Sequence, residues 1–232
     1  MTKAALTRQV LCTLFSSMTR DGRQWNLTRT LKSDNPMEIN GVLRGTASFV
    51  PIRGSINNEN GAATADTERN VSSSEVELVY REEGKMPPGA LAGLRWTKKY
   101  IWRLGDEGSQ ISIWFVKVGQ QEEEVADYLF HNFDFKFDGR GTDELDSDDS
   151  VSLVTPPLPP SLSCSGAAGK DPDSNTIVLT AYGDHLCVKD MYYTAYAFRI
   201  RPTGEVVSWS SRHVVKGPKK NQDIVNLYEK GV

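Results

Sequence analysis

Cysteine is scarce in this chain: Cys12, Cys164 and Cys187 lie far apart with no CxxC pair. That spacing offers no thiolate zinc site and no disulfide framework, so the three read as reduced thiols. Histidine is equally scarce, and His131, His185 and His213 stand at neither HxH nor HxxxH spacing. No metal or haem site is expected from them, and no cofactor. Long hydrophobic runs are missing as well. The apolar stretch 10–15 is short, follows Arg8 and Gln9, and precedes no small-residue cleavage site. Neither a membrane span nor a secretory leader is expected, and the cytoplasm is the expected location. There is no GxSxG elbow, no GxGxxG after a strand and no Walker-type loop, since Gly217-Pro218-Lys219-Lys220 lacks the preceding glycine-rich turn. The hydrolase, dehydrogenase and kinase chemistries that use those devices have no footing. Charge of one sign is also lacking: 27 basic and 30 acidic residues leave a net −3, and the basic ones form no stripe. A nucleic-acid partner is therefore disfavoured.

What is present is alternation. With 232 residues and 38% hydrophobic content, the chain suits one sizeable domain over 1–232. From Gln24 the pattern has period two, with Trp25, Leu27, Arg29 and Leu31 on one face, so Arg29 points with the apolar set. Further strand-like runs are 43–52, 75–82, 95–104, 111–118, 128–137, 176–187, 191–201 and 205–215, most of them separated by Gly, Pro, Asn or Asp. About nine strands with almost no helix between them predict an all-β antiparallel barrel of about 8–10 strands. Leu6, Val10, Leu11, Leu14 and Phe15 recur at helical spacing, predicting a short N-terminal helix that plugs one end. Ile224, Leu227 and Tyr228 share that spacing and predict a short C-terminal helix over 221–228. Two segments break the order. Residues 56–74 are rich in Asn, Ala and Ser, and residues 138–174 begin acidic and end in Pro156-Pro157-Leu158-Pro159-Pro160. Both are expected as flexible loop insertions, with 151–162 folding over a barrel mouth as the sharper alternative.

Spaced residues carry a resemblance: Gly22 with Trp25 and Arg29, Gly45-Thr-Ala-Ser-Phe49, Tyr80-Arg-Glu82-Glu-Gly84, Tyr100-Ile-Trp102, His185-Leu-Cys187 with Asp190 and Tyr192, and Trp209 followed by Gly217-Pro218-Lys219. Together they resemble a domain-of-unknown-function family common in fungi. The resemblance implies a calycin-like (lipocalin-like) barrel with no activity attached to the family as a whole. It also implies a setting beside natural-product biosynthetic genes.

A barrel of this size encloses room for one small ligand, to a degree set by its inward side chains. The expected lumen is aromatic: Trp25, Tyr80, Trp102, Trp114, Phe133, Tyr192, Tyr196 and Trp209 are candidate substrate-binding residues, with His131 on a face shared with Phe133. Lys98 is an outlier on the face of Trp96, Tyr100 and Trp102. Such a wall suits a hydrophobic small molecule oriented by a few polar groups. Arg29 and Glu82 each lie on an apolar face where an unpaired charge is costly. Either they satisfy each other, with Arg29 stacked on Trp25, or one of them joins Tyr80 or Tyr100 in polarising a substrate carbonyl. His185 and Asp190 fall on opposite faces of one strand unless a turn intervenes; His185 is a candidate general base. The candidate catalytic set is thus Arg29, Glu82, Tyr100 and His185. It points to a cofactor-independent cyclase or isomerase of secondary metabolism, intramolecular Diels-Alderases among them, because shape and one hydrogen-bond donor suffice for that chemistry. A non-catalytic carrier of a hydrophobic metabolite is the alternative.

Overall fold

The computed structural model describes residues 8–22, 24–52, 76–86, 92–105, 110–119, 124–136, 154–162, 175–218 and 220–231. One helix, α1 (Arg8–Ser17), precedes eleven strands: β1 (Gln24–Ser33), β2 (Gly41–Pro51), β3 (Val76–Lys85), β4 (Arg95–Leu104), β5 (Ile111–Val116), β6 (Ala126–Asn132), β7 (Asp134–Lys136), β8 (Ile177–Cys187), β9 (Asp190–Ile200), β10 (Val206–Lys216) and β11 (Asn221–Lys230). They form one antiparallel sheet in the order β6-β5-β4-β3-β2-β1-β11-β10-β9-β8-β7. Each strand pairs with its neighbour in sequence except β6 with β7. β1 pairs with the last strand, β11, and the sheet curls into a nearly closed barrel whose seam lies between β6 and β8.

Side chains rather than a backbone ladder fill that seam. His131 at the end of β6 reaches across to β9, where its Nε2 lies 3.0 Å from the Tyr196 hydroxyl. Thr194 donates to the Gly183 carbonyl at 2.6 Å. Gly183 must be glycine here, because a Cβ would fall 2.3 Å from His131 Nδ1.

The expected N-terminal helix is present, and its buried face of Leu11, Leu14 and Phe15, with Met18 just beyond, joins the same core as Trp25 and Trp209; Leu6 lies outside the described residues. The Ser17 hydroxyl accepts the Val206 backbone N–H at 3.0 Å, tying the helix to the start of β10. The expected C-terminal helix is corrected. Residues 221–230 are strand β11, laddered to both β10 and β1. Ile224, Asn226 and Tyr228 alternate inward, and the helical spacing of Ile224, Leu227 and Tyr228 was coincidental with that period of two. The expected run 128–137 divides at Phe133 into β6 and β7, which with β11 raises nine strands to eleven.

Of the two expected loops, 56–74, 138–153 and 163–174 lie outside the described residues. Residues 154–162 form an irregular strap along the outside of the barrel wall. Ser208 and Ser210 alternate with the inward Trp209 and donate to the carbonyls of Pro160 and Pro157 at 2.6 and 2.5 Å. Arg199 donates to the Pro159 carbonyl at 3.2 Å. Proline offers a carbonyl but no N–H, so a Pro-rich segment docks by accepting from side chains rather than by joining a ladder.

Candidate functional site

The barrel holds a cavity of about 70 Å³, lined among others by Tyr100, Trp102, Phe130, Tyr192, Tyr196, Trp209 and Tyr228. It lies above a floor of packed aromatics. Trp209 stacks face to face on Tyr228 at 3.5 Å, and Trp102 meets Trp209 and Phe49 edge to face at 5.8 and 5.0 Å. That volume holds roughly five to seven waters, or the head of a longer ligand whose remainder leaves through the mouth.

One wall carries a continuous polar network. Arg29 donates from Nη2 to Glu82 Oε2 at 2.6 Å and from Nε to Asn226 Oδ1 at 2.7 Å. The hydroxyls of Tyr80 and Tyr228 lie 2.5 and 3.1 Å from Glu82 Oε1 and 2.8 Å from each other. Two hydroxyl protons are shared among these three oxygens, and the carboxylate is their best acceptor. On the far side Asn226 donates to Ser211 Oγ at 2.9 Å, which lies 3.2 Å from His213 Nε2. Burial, and then the charge of Glu82, hold the Tyr80 and Tyr228 hydroxyls well above their ordinary range, so both stay protonated. Burial holds His213 well below its ordinary value, helped by the charge of Lys98, so its ring is neutral.

Arg29 and Glu82 therefore satisfy each other. The stacking partner of Arg29 is not Trp25 but Trp96, with the guanidinium 5.0 Å from the ring centroid. Trp25 sits four residues away on the same strand face and instead packs edge-on against Trp209 at 6.4 Å, in the core beside α1. Trp96 can reach across because Gly45 and Gly84 pair beneath it. A Cβ on Gly84 would lie 2.6 Å from the Trp96 ring and from the Arg44 carbonyl.

Two groups facing the cavity are not tied into this network. Lys98 stands directly opposite Glu82 in the β3–β4 ladder, yet no hydrogen bond or ion pair joins it to any described residue. It lines the cavity but is exposed to solvent. The surrounding wall, with Arg29 adding like charge, lowers its pKa, and solvent contact opposes that shift. Tyr100, two residues on, stacks on Phe130 at 5.9 Å. Its hydroxyl, also without a hydrogen-bond partner among the described residues, is pushed up to about 12 by burial and then by Glu82.

Of the candidates read from sequence, Arg29, Glu82, Tyr80, Tyr100, Trp102, Tyr192, Tyr196 and Trp209 line this cavity. Trp25 and Phe133 belong to the core packing below and beside it. Trp114 is on the outer wall, where its ring lies under the Arg103 guanidinium at 4.5 Å. His131 fills the seam, and burial lowers its pKa to about 4. The register shifts between β5 and β6 explain this: bulges there turn Phe130, rather than His131, toward the lumen. His185 lies at the rim against Phe115, Phe130 and Tyr192. It pairs with Tyr192 and Asp190 with Cys187 across the two-residue turn 188–189, so turn geometry puts both on one face. No hydrogen bond links His185 and Asp190. Sequence reasoning missed Asn226 and Tyr228, which the alternation Ile224-Asn226-Tyr228 could have revealed. It set Lys98 aside as an outlier. Cys12 and Cys187 are free thiols away from the cavity lining, and Cys164 lies outside the described residues.

Among the described residues no cluster of three His, Cys, Asp or Glu side chains suits a metal ion, and no helix is long and apolar enough to cross a membrane. The chain matches the model of a family of unknown function, DUF6314, over residues 22–149 and 171–230. The outer strap 154–162 falls in the gap of that match. No curated protein and no solved structure matches it.

Proposed function

Because the chain belongs to the family of unknown function DUF6314, its cavity must speak for it, and we propose that the barrel takes the carbonyl-bearing head of a hydrophobic small molecule and isomerises or cyclises it with groups of the chain itself. The observation that carries this reading is the Tyr100 hydroxyl, without a hydrogen-bond partner among the described residues, protonated across the neutral range and lining an aromatic cavity. A fixed donor stabilises charge developing on a carbonyl oxygen without reorganising as the reaction proceeds. The aromatic walls supply orientation. The Arg29–Glu82–Tyr228 network supports the reading in a different capacity. Its members satisfy each other, so they set the shape and potential of the wall rather than act on the substrate. Ring-forming or double-bond-shifting steps of secondary metabolism, intramolecular Diels–Alder closure included, make this modest demand on a protein. With about 70 Å³ available, only the reacting end of a terpenoid or polyketide is held inside, and the tail lies at the mouth.

A carrier is the second reading, favoured by the same saturation of Arg29 and Glu82, which leaves few groups for chemistry. Incubating the purified protein with extracts rich in pathway intermediates, followed by mass spectrometry against a boiled control, separates the two. A new product of unchanged mass supports the isomerase or cyclase. An intermediate retained unchanged on the protein supports the carrier, and neither outcome with any extract refutes ligand handling in the lumen.

A further inference from the structure

We propose that His213 is a second hydrogen-bond donor of the cavity, presenting Nδ1–H, and that the head group it receives carries two acceptor oxygens and no donor, as a 1,3-dicarbonyl does. The inference rests on the ligand-binding reading above and adds a residue and a ligand class.

The hydrogen bonds of one wall run in a single direction and so place the proton on His213. A guanidinium has no acceptor, so Arg29 Nε donates to Asn226 Oδ1, at 2.7 Å. That contact orients the amide, and Asn226 Nδ2 donates to Ser211 Oγ at 2.9 Å. Ser211 is 1% exposed, so its own hydrogen also needs an acceptor. Apart from Asn226, its hydrogen-bond neighbour among the described residues is His213 Nε2, 3.2 Å away. A neutral ring whose Nε2 accepts carries its proton on Nδ1. The opposite tautomer would leave the Ser211 hydrogen without an acceptor. Each step of the chain donates away from the Arg29 cation, and donors in series polarise one another. Nδ1–H ends the series and has no partner among the described residues. His213 is half-buried, and the space it meets is the cavity, which Ser211 and Val215 line from the same face of β10.

The groups left free around the cavity are weighted toward donors. His213 Nδ1–H and the exposed Lys98 ammonium at the mouth only donate, and the Tyr100 phenol is a better donor than acceptor. The one carboxylate lining the cavity, Glu82, is already taken by Arg29, Tyr80 and Tyr228. Tyr100 on β4 and His213 on β10 thus suit two oxygens of one head group. A ligand hydroxyl in their place meets no strong acceptor and loses affinity by about 5- to 150-fold per buried donor.

Three histidines in the chain make the tautomer directly readable in long-range proton–nitrogen spectra of the isotope-labelled full chain, with His213→Asn to assign the signal. The expected pattern is a protonated Nδ1 and a bare Nε2, and Ser211→Ala should shift the ring toward the Nε2–H form. Nε2–H in the unsubstituted protein overturns the donor assignment. Tryptophan quenching then compares cyclohexane-1,3-dione, an acceptor-only enolate at neutral pH, with cyclohexane-1,3-diol. The dione should bind at least about 5-fold tighter. His213→Phe should erase most of that preference, and His213→Asn, whose amide nitrogen falls near the place of Nδ1, should keep it. Equal binding of dione and diol, or a preference that survives His213→Phe, overturns the proposal and leaves the ligand-binding reading standing. Quenching by neither compound overturns both.

Discussion

Glu82 and Lys98 face each other across the β3–β4 ladder, yet the carboxylate turns to Arg29, 2.6 Å distant, and no ion pair joins it to the amine. The choice follows from geometry. Arg29 is fixed between Trp96 and Asn226, and Tyr80 and Tyr228 converge on the remaining carboxylate oxygen. A carboxylate that accepts from three residues gains more than it would from one lysine able to face the cavity.

Removing one member of that pair leaves a buried charge. Arg29→Met or Glu82→Leu should each lower stability by about 3–5 kcal/mol. The double replacement should cost much less than the sum, read as midpoints in urea. Additive losses would mean that the two are not coupled.

Tyr100→Phe removes one hydroxyl and keeps the ring against Phe130. If that hydroxyl acts on the transition state, turnover should fall by about 10- to 1000-fold while ligand affinity changes little. An equal loss of binding and turnover would assign it to ground-state binding instead.

His131 is buried and neutral, with a pKa lowered to about 4 from 6.5. The unfolded chain takes up this proton first as pH falls, so the stability that neutral His131 retains is complete above pH 6.5 and is lost down to about pH 4. The loss is about 3 kcal/mol. His131→Phe should flatten that part of the stability profile. An unchanged slope between pH 6.5 and 4 would show that the seam histidine is not its source.

Gly183→Ala places a methyl 2.3 Å from His131 Nδ1, so it should strain the seam and cost about 1–3 kcal/mol. His131→Ala in the same chain should recover part of it. Hydrogen exchange should rise first in β6 and β8. Protection unchanged in those strands would rule out steric closure by this pair.

The outer strap is held by the hydroxyls of Ser208 and Ser210 and by Arg199. Ser208→Ala with Ser210→Ala should release 154–162 to proteolysis at a cost of about 1–3 kcal/mol, while the barrel stays folded by circular dichroism. Cleavage at the parent rate would mean that Arg199 and the buried Val154 hold the strap without them.

By itself the sequence determined that the chain is an antiparallel barrel and which face of most strands points inward. Period-two alternation is a local property, written in β1 by Trp25, Leu27 and Arg29 and in β4 by Trp96, Tyr100 and Trp102. It also placed Arg29 and Glu82 on apolar faces, where the cost of burial predicts a partner. Local pattern alone did not decide β11, where three apolar residues satisfied helical spacing while the ladder to β1 and β10 enforced a strand. Nor did it decide β6, where bulges rotate Phe130 inward. Only the tertiary structure decided who pairs with whom. Arg29 meets Glu82, 53 positions away, and Asn226, 197 positions away, because barrel closure brings β1 beside β11. Such distances carry no trace in the spacing of residues along the chain. That Glu82 bonds Arg29 rather than Lys98 is likewise a consequence of three-dimensional competition for one carboxylate.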